Sequence, residues 1–557
     1  MTDTSAARAL LAADTDRTQE YVFESARLPE IRGASTLLTT LNEETSPRLI
    51  QDLDPSAQCI YVGGGGLLYE VAADQAPIIQ RELERLYPRE TGVATITCVY
   101  RVLPVNQPPD QGLLYATAQV APDTLNEFQK QRWQHADRNL DNFGAWVRLL
   151  GHDLRRRKRE KAHVPFIEAP VYAERCHSCR TRPADGVYQD FETERAFCPE
   201  CQRKRELGRD RFYWRDEFLK RLTEHHPNLR EDYLNAEEAT RVRPPQDLET
   251  LANLDSAASG SKQNYVAFIY ADGDGVGAYI EQRQSRADYE QVSHILDGAT
   301  WNAVTYALAK NLRVKAETQP FEIITVGGDD VMVIVPAAHG LRTAYDMATQ
   351  FRHYLDTQAV EESLTLSAAV VIAPVHMPVR LMRDFARDLL KSGAKPRAKA
   401  EKAAAIDFQV FISDAIYGTQ IMDLRSTAPY TLPMDGKEKP LRLFNRPYNL
   451  PEMERLLSAL GHLRSSQFPK SQLYALAKAL ERGRRRATLF YLYQRSRLNA
   501  RHREALAAVE AIVPTDERYD PLPWQKASSQ AVYQFSTTLR DVAELYDFVF
   551  ETAEEEV

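Results

Sequence analysis

The sequence contains the same unusual pattern twice, a hydrophobic run that meets a row of glycines and continues into a second hydrophobic run. The two stretches read "YVGGGGLLYEV" at residues 61–71 and "IITVGGDDVMVIVP" at residues 323–336. Two hydrophobic runs joined by Gly-Gly predict a tight β-hairpin. Only the second stretch has acids at the tip, Asp329 and Asp330. Adjacent like charges there require an explanation.

The resemblance between the two stretches extends upstream. Each is preceded by an apolar run ending in A-D-x-D, within "LLAADTDRTQEYVF" and "FIYADGDGVGAYIE". Asp14 and Asp272 are 258 positions apart, while Gly63 and Gly327 are 264 apart. Two matched landmarks at nearly the same offset predict a duplicated domain.

The order of elements predicts an α+β fold for each copy. A strand, helical segments, the glycine hairpin, a further helix and a last strand indicate a ferredoxin-like sheet with helices on one face. Beyond about residue 450, apolar residues recur at helical spacing, as in "MERLLSALGHL". The predicted divisions are a first ferredoxin-like domain at 1–150, a helical domain that includes four cysteines at 151–255, a second ferredoxin-like domain at 256–440 and a C-terminal helical domain at 441–557.

Four cysteines between the copies have the spacing of a zinc site. They form "CHSC" and "CPEC", with 18 residues between the pairs. Paired CxxC turns in a chain without secretion signals favour a tetrahedral metal site over disulfides. Four thiolates leave no open position, so the zinc is predicted to be structural. The predicted ligands are Cys176, Cys179, Cys198 and Cys201.

Three further features have ordinary structural interpretations. Cys59 and Cys98 lie in hydrophobic strand-like runs and are predicted to be buried core cysteines. The dipeptide His152–Asp153 has no partner histidines nearby in sequence, whereas a His-Asp metal site needs ligands from several helices. We therefore expect His152 and Asp153 to have a structural role.

The acids of the second copy predict a metal site. In a ferredoxin-like sheet the first strand neighbours the hairpin, which would bring Asp272, Asp329 and Asp330 to one end. These carboxylates would repel one another unless cations lay between them, and hard ions such as Mg²⁺ or Mn²⁺ prefer oxygen ligands. Two such ions roughly 4 Å apart can hold a nucleoside triphosphate and activate a hydroxyl. A solvated Gly-Asp turn is the alternative for the isolated motif.

Residues around these acids are predicted to contact the nucleotide. Glycines let a bulky ligand approach the backbone, and a glycine-rich loop at a helix start exposes N–H groups to phosphates. Lys395 is predicted to reach the triphosphate from the last turn of a helix. The predicted nucleotide-binding residues are Gly273, Asp274, Gly275, Gly277, Gly327, Gly328, Lys395 and, in the first copy, Asp14.

Composition limits the class of protein. The net charge of −8 argues against a chain that coats nucleic acid along its whole surface. The N-terminus resembles no signal peptide and no apolar run is long enough to span a membrane, so a cytoplasmic protein is predicted. Basic runs at 155–161, 203–205 and 482–486 are compatible with RNA contact or with ordinary exposed helix faces.

These features together resemble a known family. A glycine-only palm, a "GGDD" palm, a four-cysteine segment between them and a helical end are similar to the large polymerase-cyclase subunit of type III CRISPR effector complexes. "LPEIRGAS" at 28–35 and "APVHMPVRLMRDFARDLLKSGAK" at 373–395 also resemble that family. The resemblance covers roughly residues 5–550.

The resemblance implies an activity and its cofactors. Such an enzyme converts ATP to 3′–5′ linked cyclic oligoadenylate in antiviral defence when its complex binds target RNA, using two Mg²⁺ or Mn²⁺ ions. Asp272, Asp329 and Asp330 match the metal-binding acids of the family. The first palm keeps Asp14 and Asp16 but lacks the hairpin acids. It is therefore expected not to catalyse, although it could hold the second ATP.

The resemblance also implies partners and one departure. The expected partners are the subunit that binds the 5′ end of the guide RNA, a small helical subunit, crRNA and target RNA. Many members carry an N-terminal HD nuclease domain, whereas here the palm pattern starts almost at residue 1. No DNase activity is therefore expected.

Two other functions fit parts of the sequence. A diguanylate-type cyclase shares the palm and a glycine–acid hairpin, but has one palm per chain and works as a homodimer. A catalytically inactive scaffold of the same ribonucleoprotein would need neither Asp329 nor Asp330. Two unequal palms favour the CRISPR interpretation over the first alternative, and the intact acids favour it over the second.

Overall fold

The computed structural model describes most of the chain as two compact units. The described residues are 7–103, 143–161, 169–190, 193–210, 212–234, 241–254, 262–283, 285–360, 364–412, 420–433, 439–514, 522–526 and 532–549. One unit consists of residues up to 214 with 275–300 and 325–329. The other consists of 215–274, 301–324 and the residues from 330 onwards.

The first palm is a four-stranded antiparallel sheet in the order β2-β3-β1-β4. Its strands are β1 (Arg8–Asp16), β2 (Gln58–Gly63), β3 (Gly66–Ala72) and β4 (Thr95–Val102). Its helices are α1 (Thr18–Val22), α2 (Leu28–Thr40), α3 (Ser46–Leu53) and α4 (Ala76–Thr91), with a π-helical turn at Leu41–Thr45. This order of strands and crossovers is the predicted ferredoxin-like arrangement.

Helix α5 (Phe143–Glu160) packs on the first sheet and carries its basic end towards the end of β1. Trp146 and Leu150 are buried against a cluster that includes Leu10 of β1, and Leu154 packs against the same cluster. Residues four apart share a helix face. Lys158 therefore continues the row of Trp146, Leu150 and Leu154 and is directed onto the sheet.

The segment between the palms contains the hairpin of β5 (Gly186–Asp190) and β6 (Thr193–Phe197), followed by α6 (Pro199–Asp210). Helix α6 packs closely against α2 through two glycines. A Cβ atom built on Gly33 would overlap the carbonyl oxygen of Lys204, and one on Gly208 would overlap that of Pro29. This contact joins the four-cysteine segment to the first palm without space for side chains.

The second palm is built on a six-stranded sheet in the order β14-β11-β10-β7-β9-β8, in which β14 is formed by Tyr448–Asn449. Its leading helices are α7 (Tyr213–His225), α8 (Pro227–Tyr233) and α9 (Leu248–Asn253). The next elements are β7 (Tyr265–Asp274), α10 (Val276–Glu281), α11 (Arg286–Asn311), β8 (Glu322–Gly327), β9 (Asp330–Pro336), a 3₁₀ turn at Ala337–His339, α12 (Gly340–Thr357) and β10 (Thr365–Pro374). Helix α13 (Val379–Leu389) then leads through a π-helical turn at Leu390–Ala394 into α14 (Lys395–Glu401) and β11 (Ala405–Val410).

The second palm repeats the arrangement of the first and extends it. Strands β7 to β10 have the ferredoxin-like order, and β11 adds a parallel strand outside β10. Every residue of β10 is buried, which fits a strand covered on both faces. The predicted α+β fold with two palms is confirmed.

The C-terminal region is mainly helical, as predicted, and also contains a small sheet. Its elements are α15 (Ile421–Ser426), β12 (Thr431–Leu432), β13 (Leu441–Arg442), β14 (Tyr448–Asn449), α16 (Leu450–Ser465), α17 (Lys470–Ala479), α18 (Arg484–Arg497), α19 (Ala500–Glu510), β15 (Gln525–Lys526), β16 (Phe535–Ser536) and α20 (Leu539–Leu545), with 3₁₀ turns at Leu480–Arg482 and Tyr546–Phe548. The sheet has the order β12-β13-β16-β15. The strands have only two residues each, and the central pair of β13 with β16 joins Leu441 to the distant Phe535, so no local periodicity reveals the sheet.

The predicted burial of Cys98 is confirmed, and the predicted burial of Cys59 is wrong. Cys98 is fully buried in β4, whereas Cys59 is exposed. Cys59 lies on β2, the edge strand of the first sheet, where the pairing with β3 shifts between Cys59 and Tyr61. Edge strands and bulges turn side chains out of the core.

The glycine contact between α2 and α6 gives a stability prediction. Gly33→Ala should lower the free energy of unfolding by about 1–3 kcal/mol, because its Cβ meets backbone that cannot withdraw. Gly151→Ala is the matched control, since it is also helical and a Cβ there would meet only the end of the Arg155 side chain at 3.8 Å. That change should raise stability by about 1 kcal/mol. Thermal unfolding of both variants checks this, and equal melting temperatures would contradict it.

Candidate functional site

The first acid of the predicted site, Asp272, lies near the end of β7, the strand between β9 and β10. In the antiparallel pairing of β7 with β9, Asp272 is opposite Asp330. Gly328 and Asp329 form the two-residue turn of the β8–β9 hairpin, and Asp330 is the first residue of β9. The apolar residues of β7 are buried, so the acids appear where the strand leaves the core. Like charges directly opposite each other destabilise a sheet unless they are compensated.

The first palm has the same register with a different residue at the hairpin. Asp14 of β1 is opposite Gly66 of β3, as Asp272 is opposite Asp330. The pairing therefore superimposes "GGGG" on "GGDD" residue for residue, as the duplication predicts. At this position only the sheet of the second palm has a carboxylate on each of the two paired strands.

Lys395 lies next to Asp272, but at the start of a helix rather than in the last turn that the sequence predicted. Its ammonium group forms an ion pair with the Asp272 carboxylate, and Nζ donates to the carbonyl oxygen of Gly273 at 2.9 Å. Lys395 begins α14 rather than ending a helix, because the π-helical turn at Leu390–Ala394 carries the chain onward. The cation thus compensates part of the charge at the end of β7.

Asp274, which ends β7, is held by the neighbouring strand. Its Oδ2 accepts hydrogen bonds from Thr365 Oγ1 at 2.8 Å and Ser367 Oγ at 2.6 Å. Burial raises the pKa of Asp274, although these hydroxyl groups and the charge of Lys395 oppose the shift. In the structure the carboxylate of this predicted nucleotide contact is therefore used to fix the end of the sheet.

The glycines after Asp272 form an open loop. Gly275 precedes α10 with φ of 80°, a left-handed conformation that favours glycine. A Cβ on Gly277 would meet no atom within 4 Å. Gly328 in the hairpin turn also has positive φ, at 64°. The backbone is therefore exposed at Gly275 and Gly277, after Asp272.

In the first palm, two lysines of the α5 segment compensate the corresponding acids. Lys158 Nζ lies 2.6 Å from Asp14 Oδ2 and 3.1 Å from Asp16 Oδ1, and Lys161 Nζ lies 3.3 Å from Asp16 Oδ2. Thr95 and Thr97 donate hydroxyl hydrogen bonds to Asp16. Burial alone would raise the pKa of Asp16, but these hydroxyl groups and lysines together lower it.

This lysine pairing differs from what the sequence predicts. Both lysines belong to the basic run at 155–161, whose composition predicts RNA contact or an exposed helix face. A signal was present, since Lys158 follows Trp146, Leu150 and Leu154 at intervals of four residues. The first palm therefore balances Asp14 and Asp16 with its own cations.

Other basic residues are also engaged within the protein. Arg157 pairs with Glu84, with Nη2 to Oε2 at 2.8 Å. Lys204 and Arg205 are buried and pair with Glu24 and Glu30. These pairs leave Lys204 and Arg205 unavailable to RNA phosphates. Asp153 accepts from Arg101 Nε at 2.6 Å, which agrees with a structural role.

The four predicted cysteines come together in a buried cluster. The sulfur atoms of Cys176, Cys179, Cys198 and Cys201 all lie within 4.8 Å of one another. A tetrahedral zinc site with Zn–S bonds of about 2.3 Å brings its sulfurs to roughly 3.8 Å. The donor set and its compactness fit zinc, and four thiolates would complete the coordination shell.

Arg182 ties the cysteine cluster to the first palm. Its Nε lies 3.3 Å from Cys198 Sγ and its Nη2 lies 3.6 Å from Cys201 Sγ. The same guanidinium pairs with Glu24 at 2.5 Å and 2.8 Å. Such hydrogen bonds orient metal-ligating groups and balance thiolate charge.

None of the helices in the described ranges combines the length and the apolar composition of a membrane span.

Comparisons with known proteins agree with this arrangement. Residues 265–404 match the family model described as Cas10/Cmr2, second palm domain. No curated protein sequence matches the chain.

Solved structures with the same fold cover almost the whole chain. Csm1 from T. onnurineus is 14% identical, with 98% of this chain and 70% of that chain covered and a TM-score of 0.52. The Csm1–Csm4 cassette in complex with cA4 is 14% identical, with 97% of this chain and 69% of that chain covered and a TM-score of 0.52. The cassette in complex with pppApA is also 14% identical, with 98% of this chain and 69% of that chain covered and a TM-score of 0.53. The fold of the chain is therefore that of Csm1.

The cysteine cluster predicts one tightly bound zinc ion per chain. Cys179→Ser should abolish zinc retention and lower the melting temperature, because three thiolates and a hydroxyl bind Zn²⁺ more weakly. Cys59→Ser, at an exposed cysteine outside the cluster, should retain zinc. Zinc content measured by mass spectrometry on the purified variants distinguishes them. Equal zinc in both would contradict this assignment.

Proposed function

We propose that this chain, which is Cas10-like in its second palm and Csm1-like in its fold, synthesises cyclic oligoadenylate from ATP in response to target RNA. In this proposal it is the large subunit of a type III CRISPR ribonucleoprotein that acts in antiviral defence. The observation that carries the proposal is the pairing of Asp272 with Asp330, with Asp329 beside it in the turn. The same register in the first palm holds Asp14 and Gly66.

The acids are suited to hold divalent ions. Asp272, Asp329 and Asp330 supply hard oxygen donors, which Mg²⁺ and Mn²⁺ prefer. Two bound ions would neutralise the phosphates and lower the pKa of the attacking ribose hydroxyl. Lys395 balances one negative charge at Asp272 through their ion pair. In the proposal Lys395 also contacts the triphosphate once ATP is bound.

The glycines allow the nucleotide to approach the backbone. Gly273, Gly275 and Gly277 follow Asp272, and Gly327 and Gly328 precede Asp329. We propose that their N–H groups contact phosphates, because a glycine loop exposes backbone donors without side chains in the way. Asp274 supports this loop through its hydrogen bonds to β10, and we propose that it also contacts the nucleotide.

The first palm is proposed to be inactive in catalysis. It lacks acids in its hairpin, and Lys158 and Lys161 already compensate Asp14 and Asp16. Such a neutralised site attracts divalent ions weakly. Polymerisation needs a donor and an acceptor nucleotide, and we propose that the first palm holds the second ATP near Asp14.

The choice of ATP and of partners rests on the structural relatives. The similar Csm1–Csm4 cassettes are complexes with cA4 and pppApA. We propose that this chain likewise uses adenine nucleotides and binds a subunit that holds the 5′ end of the guide RNA. A small helical subunit, crRNA and target RNA complete the proposed assembly.

The assembled complex provides the test. With ATP, Mg²⁺ or Mn²⁺ and complementary RNA, it should produce cyclic oligoadenylate, which mass spectrometry identifies. Asp272→Asn and Asp330→Asn should each lower the rate by more than about 100-fold, beyond the loss typical of residues that only support a metal ligand. Asp52→Asn, at an exposed acid on α3, should leave the rate unchanged.

Two controls separate the alternatives. Product from GTP instead of ATP would favour a diguanylate-type cyclase. Absence of product from the wild-type complex would leave the scaffold function.

A further inference from the structure

The turns of the two glycine hairpins lie against each other. A Cβ built on Gly327 would be 2.6 Å from Gly64 Cα and 2.9 Å from Gly64 N, closer than real contacts allow. A Cβ on Gly64 would be 3.3 Å from the carbonyl oxygen of Gly327. Residues 325–329 belong to the same compact unit as the first palm. The turn that carries Asp329 therefore packs on the first palm through bare backbone.

Tyr61 of β2 fills the space beside this contact. Its hydroxyl oxygen would be 3.0 Å from a Cβ on Gly63 and 3.4 Å from a Cβ on Gly328. Burial is the largest cause that raises the pKa of Tyr61, followed by the charges of Tyr289, Asp297 and Asp329. The phenol thus touches both turns and lies close enough to Asp329 to sense its charge.

The other side of the turn is fixed by α11. Thr300 is buried and donates its hydroxyl to the carbonyl oxygen of Gly328 at 2.7 Å. The Gly328 carbonyl is thereby held from α11, while Gly64 and Tyr61 bound the turn from the first palm. A shift of the first hairpin would move the residues next to Asp329.

Glycine at position 64 is required for two separate reasons. Gly64 and Gly65 have φ of 59° and 87°, as in a type I′ turn, which disfavours most side chains at both positions. A Cβ on Gly65, however, would make ordinary contacts with Thr15 at 3.6 Å and Asn42 at 3.8 Å. Only Gly64 combines the left-handed backbone with close approach to Gly327.

We propose that the glycine hairpin of the first palm is a positioning element for the metal-binding turn of the second. In this view Gly64 and Tyr61 act through Gly327 and Gly328 to hold Asp329 where a divalent ion is bound. The inference rests on the proposed function for its consequence, because Asp329 matters only if it binds metal. It assigns the hairpin a mechanical contribution that does not depend on nucleotide binding to the first palm.

A comparison of two neighbouring glycines tests this. Gly64→Ala adds left-handed strain and a Cβ against Gly327, whereas Gly65→Ala adds the same strain without that contact. We expect the Mn²⁺ concentration that gives half-maximal oligoadenylate synthesis to be about tenfold higher for Gly64→Ala than for Gly65→Ala. Misplacing a reacting group has effects of this size or larger. The KM for ATP at saturating Mn²⁺ should be the same in both.

A direct binding measurement separates this inference from the proposed function. Titration of the protein with Mn²⁺, followed by electron paramagnetic resonance, needs no activity. Weaker Mn²⁺ binding by Gly64→Ala than by Gly65→Ala supports the inference even if the wild type makes no product. Equal Mn²⁺ binding overturns it, and so does a rise in the KM for ATP with unchanged Mn²⁺ dependence, which would indicate a nucleotide-binding role.

A second variant covers the case in which Gly64→Ala does not fold. Tyr61→Phe removes the hydroxyl group between the turns and leaves the backbone unchanged. We expect weaker Mn²⁺ binding than in the wild type, in the same direction and smaller than for Gly64→Ala. Mn²⁺ affinity identical to that of the wild type in a folded Tyr61→Phe protein would overturn the role given to Tyr61.

Discussion

Repulsion between carboxylates at the end of a sheet is the constraint on which the rest of this structure depends. A ferredoxin-like sheet places its first strand beside its hairpin, so Asp272 and Asp330 face each other whatever their charge. Opposed like charges destabilise a sheet and need a cation nearby. Lys395 supplies one positive charge at Asp272. In the proposed function, divalent ions bind between the remaining acids and relieve their repulsion.

The first palm meets the same constraint with its own residues. Its hairpin has no acid, and the two carboxylates of β1 are balanced by Lys158 and Lys161. In both palms, hydroxyl groups donate hydrogen bonds to the aspartate that ends the first strand. Thr95 and Thr97 bind Asp16 in the first palm. Thr365 and Ser367 of β10 bind Asp274 in the second. The duplicated scaffold is retained, while its charge balance differs between the copies.

Local patterns predicted what local chemistry determines. The cysteine spacing, the duplicated strand and hairpin, and the register that follows from them were all recoverable from the sequence, because each depends on neighbouring residues. The exposure of Cys59, the pairing of Lys158 and the start of α14 at Lys395 were not. These depend on edge position, on a helix packing across a distant strand and on a π-helical turn, which are set by tertiary contacts.

The glycines of the first hairpin illustrate the same distinction at the site. In the sequence, "GGGG" differs from "GGDD" by the loss of acids, which suggests a decayed active site. The loss explains positions 65 and 66 but not position 64, which aligns with a glycine in both copies. Close approach to Gly327 gives Gly64 a reason of its own. A palm without hairpin acids can therefore still hold the turn that carries Asp329, and under the proposed function that turn binds metal.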